Sequence, residues 1–197
     1  MKCLVTGATG FIGRALCAQL RADGHEVVPL SCSGASLDDG TPTIAIDIAT
    51  GDFDSALFGG VNVVIHAAGI AHQNAAPDEY VTVNTEATVR LYRAACSASV
   101  PTFIYVSSVK AMGVPTTGSP RSESELAPAP DPYGSSKREA EKALEAEAGA
   151  CTSLLIVRPS LVYGREHKGN LHLLARGVRL GLPRPPPGGL RSMIALP

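Results

Sequence analysis

The chain has 197 residues, of which 45% are hydrophobic and 18% charged, and a formal net charge of −1. That balance fits a globular chain with one principal domain and a substantial core, and it supplies no basic stripe and no Lys/Arg clusters interleaved with aromatics, so nucleic acid is not an expected partner. The five cysteines (Cys3, Cys17, Cys32, Cys96, Cys151) are odd in number and never two residues apart, which argues against a disulfide framework or zinc knuckle; no metal site is expected.

The chain enters a strand at once, with no charged leader before an apolar signal core, and no apolar run approaches membrane-spanning length. A cytoplasmic setting without a membrane partner is expected. Residues 2–6 read as a short apolar strand running directly into Gly7-Ala8-Thr9-Gly10-Phe11-Ile12-Gly13, followed by a helix over about 14–22. Strand, glycine loop and helix in that order point to a dinucleotide: glycines permit a tight turn and close backbone approach to a pyrophosphate, and the helix N-terminus presents free N–H groups. Further strands are expected at 25–30, 43–46, 61–66, 102–106 and 153–157. Helices are expected at 77–98 and 131–148, the latter with Asp131 as N-cap and Pro132 at its first position. Alternating strands and helices predict an α/β fold, a doubly wound parallel sheet of Rossmann-like type.

Tyr133 and Lys137 stand four apart in the second long helix and share one face. A free phenol titrates near ~10 and is a weak base at neutral pH until a neighbouring cation stabilises the phenolate. Lys137 is in position to do so. His66, at the end of a strand with no second ligand at useful spacing, reads as a hydrogen-bonded core histidine.

Thr6-Gly7-x-x-Gly10-x-x-Gly13 followed far downstream by Tyr133-x-x-x-Lys137 resembles the short-chain dehydrogenase/reductase superfamily. Thr-Gly-Ala-Thr-Gly-Phe-Ile-Gly resembles its extended branch of nucleotide-sugar epimerases, dehydratases and ketoreductases. The resemblance implies a proton-handling set of Ser108, Tyr133 and Lys137, with Ser107 as the alternative hydroxyl. Tyr133 would exchange a proton with a sugar oxygen as hydride passes to or from the nicotinamide, and Lys137 would bond the cofactor ribose and lower the Tyr133 pKa. It further implies cofactor contacts from Gly7, Gly10, Phe11, Ile12 and Gly13, from Asp47 and Ile48 at the adenine, and from Ala67, Ala68 and Gly69 beneath the cofactor. Asn84 near the active site, Tyr133 and Lys137 themselves, and Pro159 beside the nicotinamide complete that set. Asn170 and Arg191 match the positions that hold the substrate diphosphate.

Two departures from the family pattern stand out. Where NAD-dependent members carry an acid for the ribose 2′-OH this chain has Ser31, and Arg14 just past Gly13 is a candidate to attract a 2′-phosphate, so NAD is the expected cofactor with NADP left open. Extended-family members also continue well beyond residue 197, so residues 1–165 are expected to form the dinucleotide-binding domain and 166–197 only the start of a substrate-binding region. Residues 190–196 should then lack packing neighbours, and 183–189, rich in proline and glycine, reads as a turn or linker. Ser108 is followed by Val109-Lys110 rather than the Asp-Glu pair of 4,6-dehydratases, which disfavours elimination chemistry. The resemblance thus implies an NAD(P)-dependent epimerase acting at C4 of a UDP-sugar, and Ser108-Val109-Lys110-Ala111-Met112-Gly113 is similar to an epimerase subgroup associated with bacterial surface polysaccharides. The alternatives are a 4-keto-sugar-nucleotide reductase and, in a different class, a non-catalytic dinucleotide-binding module. Family members commonly pair through the Tyr-bearing helix and the one before it, so a homodimer is expected.

Overall fold

The computed structural model describes residues 1–71, 75–113, 121–129, 131–149, 152–164, 176–182 and 192–196. Asn170, Arg191 and the 183–189 segment lie outside them. Six strands form one parallel sheet: β1 (Lys2–Thr6), β2 (Glu26–Ser31), β3 (Ile44–Ala45), β4 (Val63–His66), β5 (Thr102–Val106) and β6 (Ser153–Val157). Their spatial order is β3-β2-β1-β4-β5-β6. The central strands β1 and β4 read Lys-Cys-Leu-Val-Thr and Val-Val-Ile-His and are buried on both faces, the continuous apolar pattern that a sheet covered from both sides demands.

Helix α1 (Phe11–Ala22) covers one face, packing Leu16, Cys17 and Leu20 on Cys3, Val5, Val63 and Ile65. On the opposite face, Leu91, Tyr92 and Ala95 of α3 (Ala87–Ser97) and Ala140 and Leu144 of α4 (Pro132–Glu147) meet Leu4, Val64, Phe103 and Tyr105. The sheet is therefore doubly wound, as expected, and its order reverses between β1 and β4, where such folds open a crevice beyond the strand ends.

Several boundaries differ from the sequence reading. Helix α1 starts three residues early, at Phe11, because Gly10 takes an extended N-cap conformation (φ −76°, ψ 169°) that lets the helix begin inside the glycine loop. Strand β3 shrinks to two exposed residues, as an edge strand pairing only with β2. The helix expected at 77–98 is instead α2 (Pro77–Tyr80), a π-helical stretch Val81–Glu86, then α3. There Thr88 Oγ1 bonds back to the Asn84 carbonyl (2.8 Å) and Thr85 Oγ1 reaches the Ser136 carbonyl of α4 (2.9 Å), tertiary contacts that accompany the altered winding. Asp131 does cap α4, accepting from Gly134 N at 2.7 Å. Met193–Ala195 (β8) pairs in parallel with Leu161–Tyr163 (β7), so this end of the chain has a neighbour where none was expected: Leu196 N also donates to the Tyr163 carbonyl (2.8 Å).

Candidate active site

The glycine loop is built by close approach. Gly7 has φ +68°, and a Cβ there would stand 2.7 Å from Ala68 N; a Cβ on Gly13 would stand 2.0 Å from the Gly7 carbonyl oxygen. Gly7 thus lets β1 pass against Ala67 and Ala68 after β4, and Gly13 lets α1 seat on the loop. No side chain caps the N-terminus of α1 and no acid stands in its first turn, so its leading N–H groups and the positive end of its dipole face the crevice. This is a cradle for a pyrophosphate, and the residues present fit a dinucleotide.

At the inner end of the crevice a cleft is lined by Ile12, Ala67, Gly69, Ile70, Ala71, Val106, Ser107, Tyr133 and Lys137. A wider depression of about 640 Å³ outside β6 shares no lining residue with it. Tyr133 is hydrogen-bonded to Ser108. Ser108 caps the short 3₁₀ turn Val109–Met112, its Oγ accepting from Lys110 N (3.2 Å), whereas the Ser107 hydroxyl is buried and donates to Glu141. Of the two serines, Ser108 is the one that meets the phenol. Lys137 is 4% exposed; its ammonium donates to the Val106 carbonyl (3.0 Å) and lies 4.7 Å from the centroid of the Tyr105 ring.

Burial is the dominant influence on both groups. It lowers Lys137 to about 8, with Glu141 acting in the opposite direction. It raises Tyr133 above the ordinary phenol value, the hydrogen bond with Ser108 partly offsetting it and Asp131 and Tyr80 adding to it. The expected lowering of Tyr133 by Lys137 is therefore not what the protein alone displays: burial outweighs every other influence on the phenol.

The other predicted residues fall around this centre. Asn84, fully buried on the π stretch, spends its amide on Ile70 N (2.8 Å), Ile70 O (3.0 Å) and Ser136 Oγ (3.0 Å), so it fastens the loop after Gly69 to α4. The Gly69 Cα faces that amide, since a Cβ there would meet Asn84 Oδ1 at 2.8 Å. The Asp47 carboxylate closes its own turn by accepting from Ala49 N (2.9 Å), and the carbonyl of Ile48 accepts from Arg90 (2.6 Å). Pro159 O receives Val109 N (3.0 Å), tying the end of β6 to the Ser108 turn. Arg14 donates to the Thr9 carbonyl (2.8 Å) and pairs with Asp38, and Ser31 Oγ is bonded to Thr43 Oγ1 (2.6 Å). The cation that seemed placed for a 2′-phosphate already has a carboxylate partner. His66 is fully buried between Thr6 Oγ1 (2.6 Å) and Thr88 Oγ1 (2.8 Å), in the core role expected of it.

The model of the NAD dependent epimerase/dehydratase family matches residues 3–183. The chain belongs to that family. It is 39% identical over 192 residues to a UDP-glucose 4-epimerase of Vibrio cholerae, covering 92% of this chain and 58% of that protein. It is also 33% identical over 132 residues to a UDP-glucose 4-epimerase of Klebsiella pneumoniae, covering 57% of this chain and 93% of that one. Among solved structures it is similar to MoeE5 in complex with UDP-glucose and NAD, with a TM-score of 0.82 and 28% identity over 100% of this chain and 68% of MoeE5. The UDP-glucuronic acid 4-epimerase from Bacillus cereus in complex with NAD gives a TM-score of 0.79 at 27% identity, over 93% of this chain and 64% of that one. The chain thus spans about three fifths of the Vibrio cholerae relative's length.

Two residues beside the cleft were given no role by the sequence reading, although Arg158 opens the 158–164 segment that resembles the one flanking the nicotinamide. Glu141 follows Lys137 by one helical turn and is buried, and Arg158 grips it through Nε (3.0 Å) and Nη2 (2.9 Å). The i, i+4 spacing was a signal for Glu141; nothing local pairs it with Arg158, which arrives from the far end of β6.

Proposed function

We propose that the protein is an NAD-dependent epimerase acting at C4 of a UDP-sugar, with Tyr133 as acid and base. The observation that supports this most is the Tyr133 phenol hydrogen-bonded to Ser108 in a cleft shared with buried Lys137 and with Ile12 of the glycine loop. Gly7, Gly10, Phe11, Ile12 and Gly13 hold the cofactor pyrophosphate, Asp47 and Ile48 border the adenine, Ala67, Ala68 and Gly69 floor the site, Lys137 bonds the ribose, and Pro159 flanks the nicotinamide. When bound, NAD supplies a reversible hydride acceptor. The chain's own task is the proton: Tyr133 takes it from the sugar 4-hydroxyl and returns it to the same oxygen after the sugar has turned its other face, while Ser108 orients that oxygen. Tyr133 takes that proton as the phenolate and gives it back as the phenol; burial disfavours the phenolate, and the Lys137 ammonium in the same cleft is the cation that opposes it.

Val109-Lys110 after Ser108 supplies no carboxylate for elimination, which favours epimerisation over dehydration. The pairing of Arg14 with Asp38 favours NAD over NADP. We place Asn170 and Arg191 on the substrate diphosphate, residues 1–165 as the dinucleotide-binding domain and 166–197 as the opening of the substrate-binding region. A cytoplasmic homodimer formed through the helices before and including α4 completes the reading; a monomer by light scattering contradicts the dimer. No helix among the described residues is long and apolar enough to cross a membrane.

The test is to incubate the protein with NAD and UDP-glucose or UDP-galactose, and separately with a UDP-4-keto-sugar and NADPH, following sugar products by chromatography and the reduced-nicotinamide absorbance. Interconversion of the two sugars without net cofactor change supports the epimerase. Net oxidation of the reduced cofactor identifies a ketoreductase instead. Cofactor binding with neither reaction identifies a binding module.

A further inference from the structure

Among the described residues the buried charged groups are Lys137 and Glu141, one turn apart on the same face of α4. A buried carboxylate is costly unless it is paired and fully bonded. Glu141 satisfies that requirement with groups from two other segments. Arg158, at the end of β6, binds it bidentately with a side chain only 16% exposed, and Ser107, at the end of β5, donates to its Oε1. Arg158 Nη1 also reaches the Glu123 carbonyl (2.8 Å). The carboxylate therefore joins the helix that carries Tyr133 and Lys137 to the strand end that carries Ser108 and to the segment that carries Pro159.

We propose that Glu141, held by Arg158 and Ser107, is a positioning residue that places a buried carboxylate one helical turn from Lys137 and fixes the Ser107-Ser108 strand end against Tyr133. The inference rests on the reading of Tyr133 and Lys137 as the proton-handling pair. The groups facing Lys137 are Tyr133 and Glu141 on its own helix, His66 on β4, Tyr105 on β5 and, behind Glu141, Arg158 at the end of β6. His66 is held neutral, so Glu141 is the negative charge that opposes the pull of burial on the ammonium. Burial lowers Lys137 to about 8, so the loss of one nearby carboxylate changes its charge appreciably at neutral pH.

The experiment reads Lys137 directly, by NMR titration of lysine side chains labelled with ¹³C at Cε, in the wild type, Glu141→Gln and Arg158→Lys, each without nucleotide sugar. Both substitutions disturb the same buried pair and both lower stability, but only the first removes the negative charge beside Lys137. Glu141→Gln is expected to move the Lys137 midpoint down by about one unit, the scale of a near opposite charge, and Arg158→Lys, which keeps a cation against Glu141, is expected to leave it near that of the wild type. No downward shift in Glu141→Gln, or an equal one in Arg158→Lys, overturns the proposal. If neither variant folds, Glu141→Asp carries the test. It keeps the charge and shortens the arm, so the Lys137 midpoint should stay near that of the wild type while the Ser107 amide resonance shifts; a midpoint that drops by a unit refutes the charge role. Because the titration needs no substrate, it stands or falls separately from the epimerase assay: expected shifts with no sugar interconversion by the wild type sink the proposed reaction and leave the role of Glu141 intact.

Discussion

Gly13→Ala probes the cofactor cradle through one methyl group. Its Cβ would lie 2.0 Å from the Gly7 carbonyl oxygen, 2.8 Å from Gly7 C and 2.9 Å from Ala8 Cα. All three obstacles are backbone of the loop that closes β1, so no rotamer change relieves them. Reaching the 3.4 Å at which ordinary contact begins requires α1 to retreat by about 1.4 Å, which loosens Leu16, Cys17 and Leu20 from the sheet. Overpacking of this kind costs ~1–3 kcal/mol, and a rigid obstacle puts it at the upper end. For a chain of this length, ~3 kcal/mol lowers the thermal midpoint by about 6–12 °C. Two other glycines calibrate the result. Alanine at Gly10 meets only the Gly7 oxygen at 3.1 Å, which a small shift relieves, and Gly24 has φ +80° with nothing within 4 Å, so its alanine variant bears only the left-handed backbone penalty of ~1–2 kcal/mol. Urea and thermal unfolding of the three variants, with NAD binding by calorimetric titration, should rank Gly13→Ala as the most destabilised and the one whose NAD affinity falls at least ~10-fold, or ~1.4 kcal/mol. A Gly13→Ala protein with the wild-type midpoint and affinity refutes the close-packing argument.

Tyr133→Phe removes the proposed proton carrier and keeps the ring, so kcat for the proposed sugar interconversion should fall ~10²–10⁴-fold with NAD still bound; a variant that retains a tenth of the activity excludes Tyr133 as acid and base. His66 is lowered to about 3 by burial and then by Lys137, whereas an unfolded histidine titrates near ~6.5. The unfolded chain therefore takes the proton first: this contribution to stability is intact above pH ~6.5 and is lost as pH falls toward the folded value, at up to ~1.4 kcal/mol per pH unit. His66→Gln should remove that part of the slope in urea midpoints between pH 6.5 and 5, and an unchanged slope contradicts the assignment. Asp131→Ala deletes the N-cap bond to Gly134 N and the ion pair with Lys110 (2.7 Å). It should lower stability by ~1 kcal/mol, and a midpoint within 1 °C of wild type, on the order of a quarter of that cost, shows that the cap contributes little.

The fold class was legible because its signals are local and repeated: apolar runs for buried strands, 3.6-residue spacing for helices, glycines where strand passes to helix. The grouping of candidate residues was legible where it depends on short spacing, as with Gly7, Gly10 and Gly13 in one loop or Tyr133 and Lys137 in one cleft. It was less legible at Asn84, whose amide is committed to Ile70 and Ser136, groups 14 and 52 residues away in the chain. The same holds for Arg14, an apparent free cation until Asp38 meets it from another loop.

By itself, the order of residues determined the parallel sheet, the phosphate cradle and the presence of a phenol and an amine on one helical face, since each is set by neighbours within a few turns of chain. Only the tertiary structure decided the π stretch under Asn84, the hydrogen bond of Tyr133 with Ser108, the dominance of burial in setting Tyr133 and Lys137, and the Glu141 to Arg158 bond. Those depend on segments far apart in sequence being brought into a water-poor interior, where the strength of a charge and the partner of a hydroxyl are fixed by what else is buried beside them.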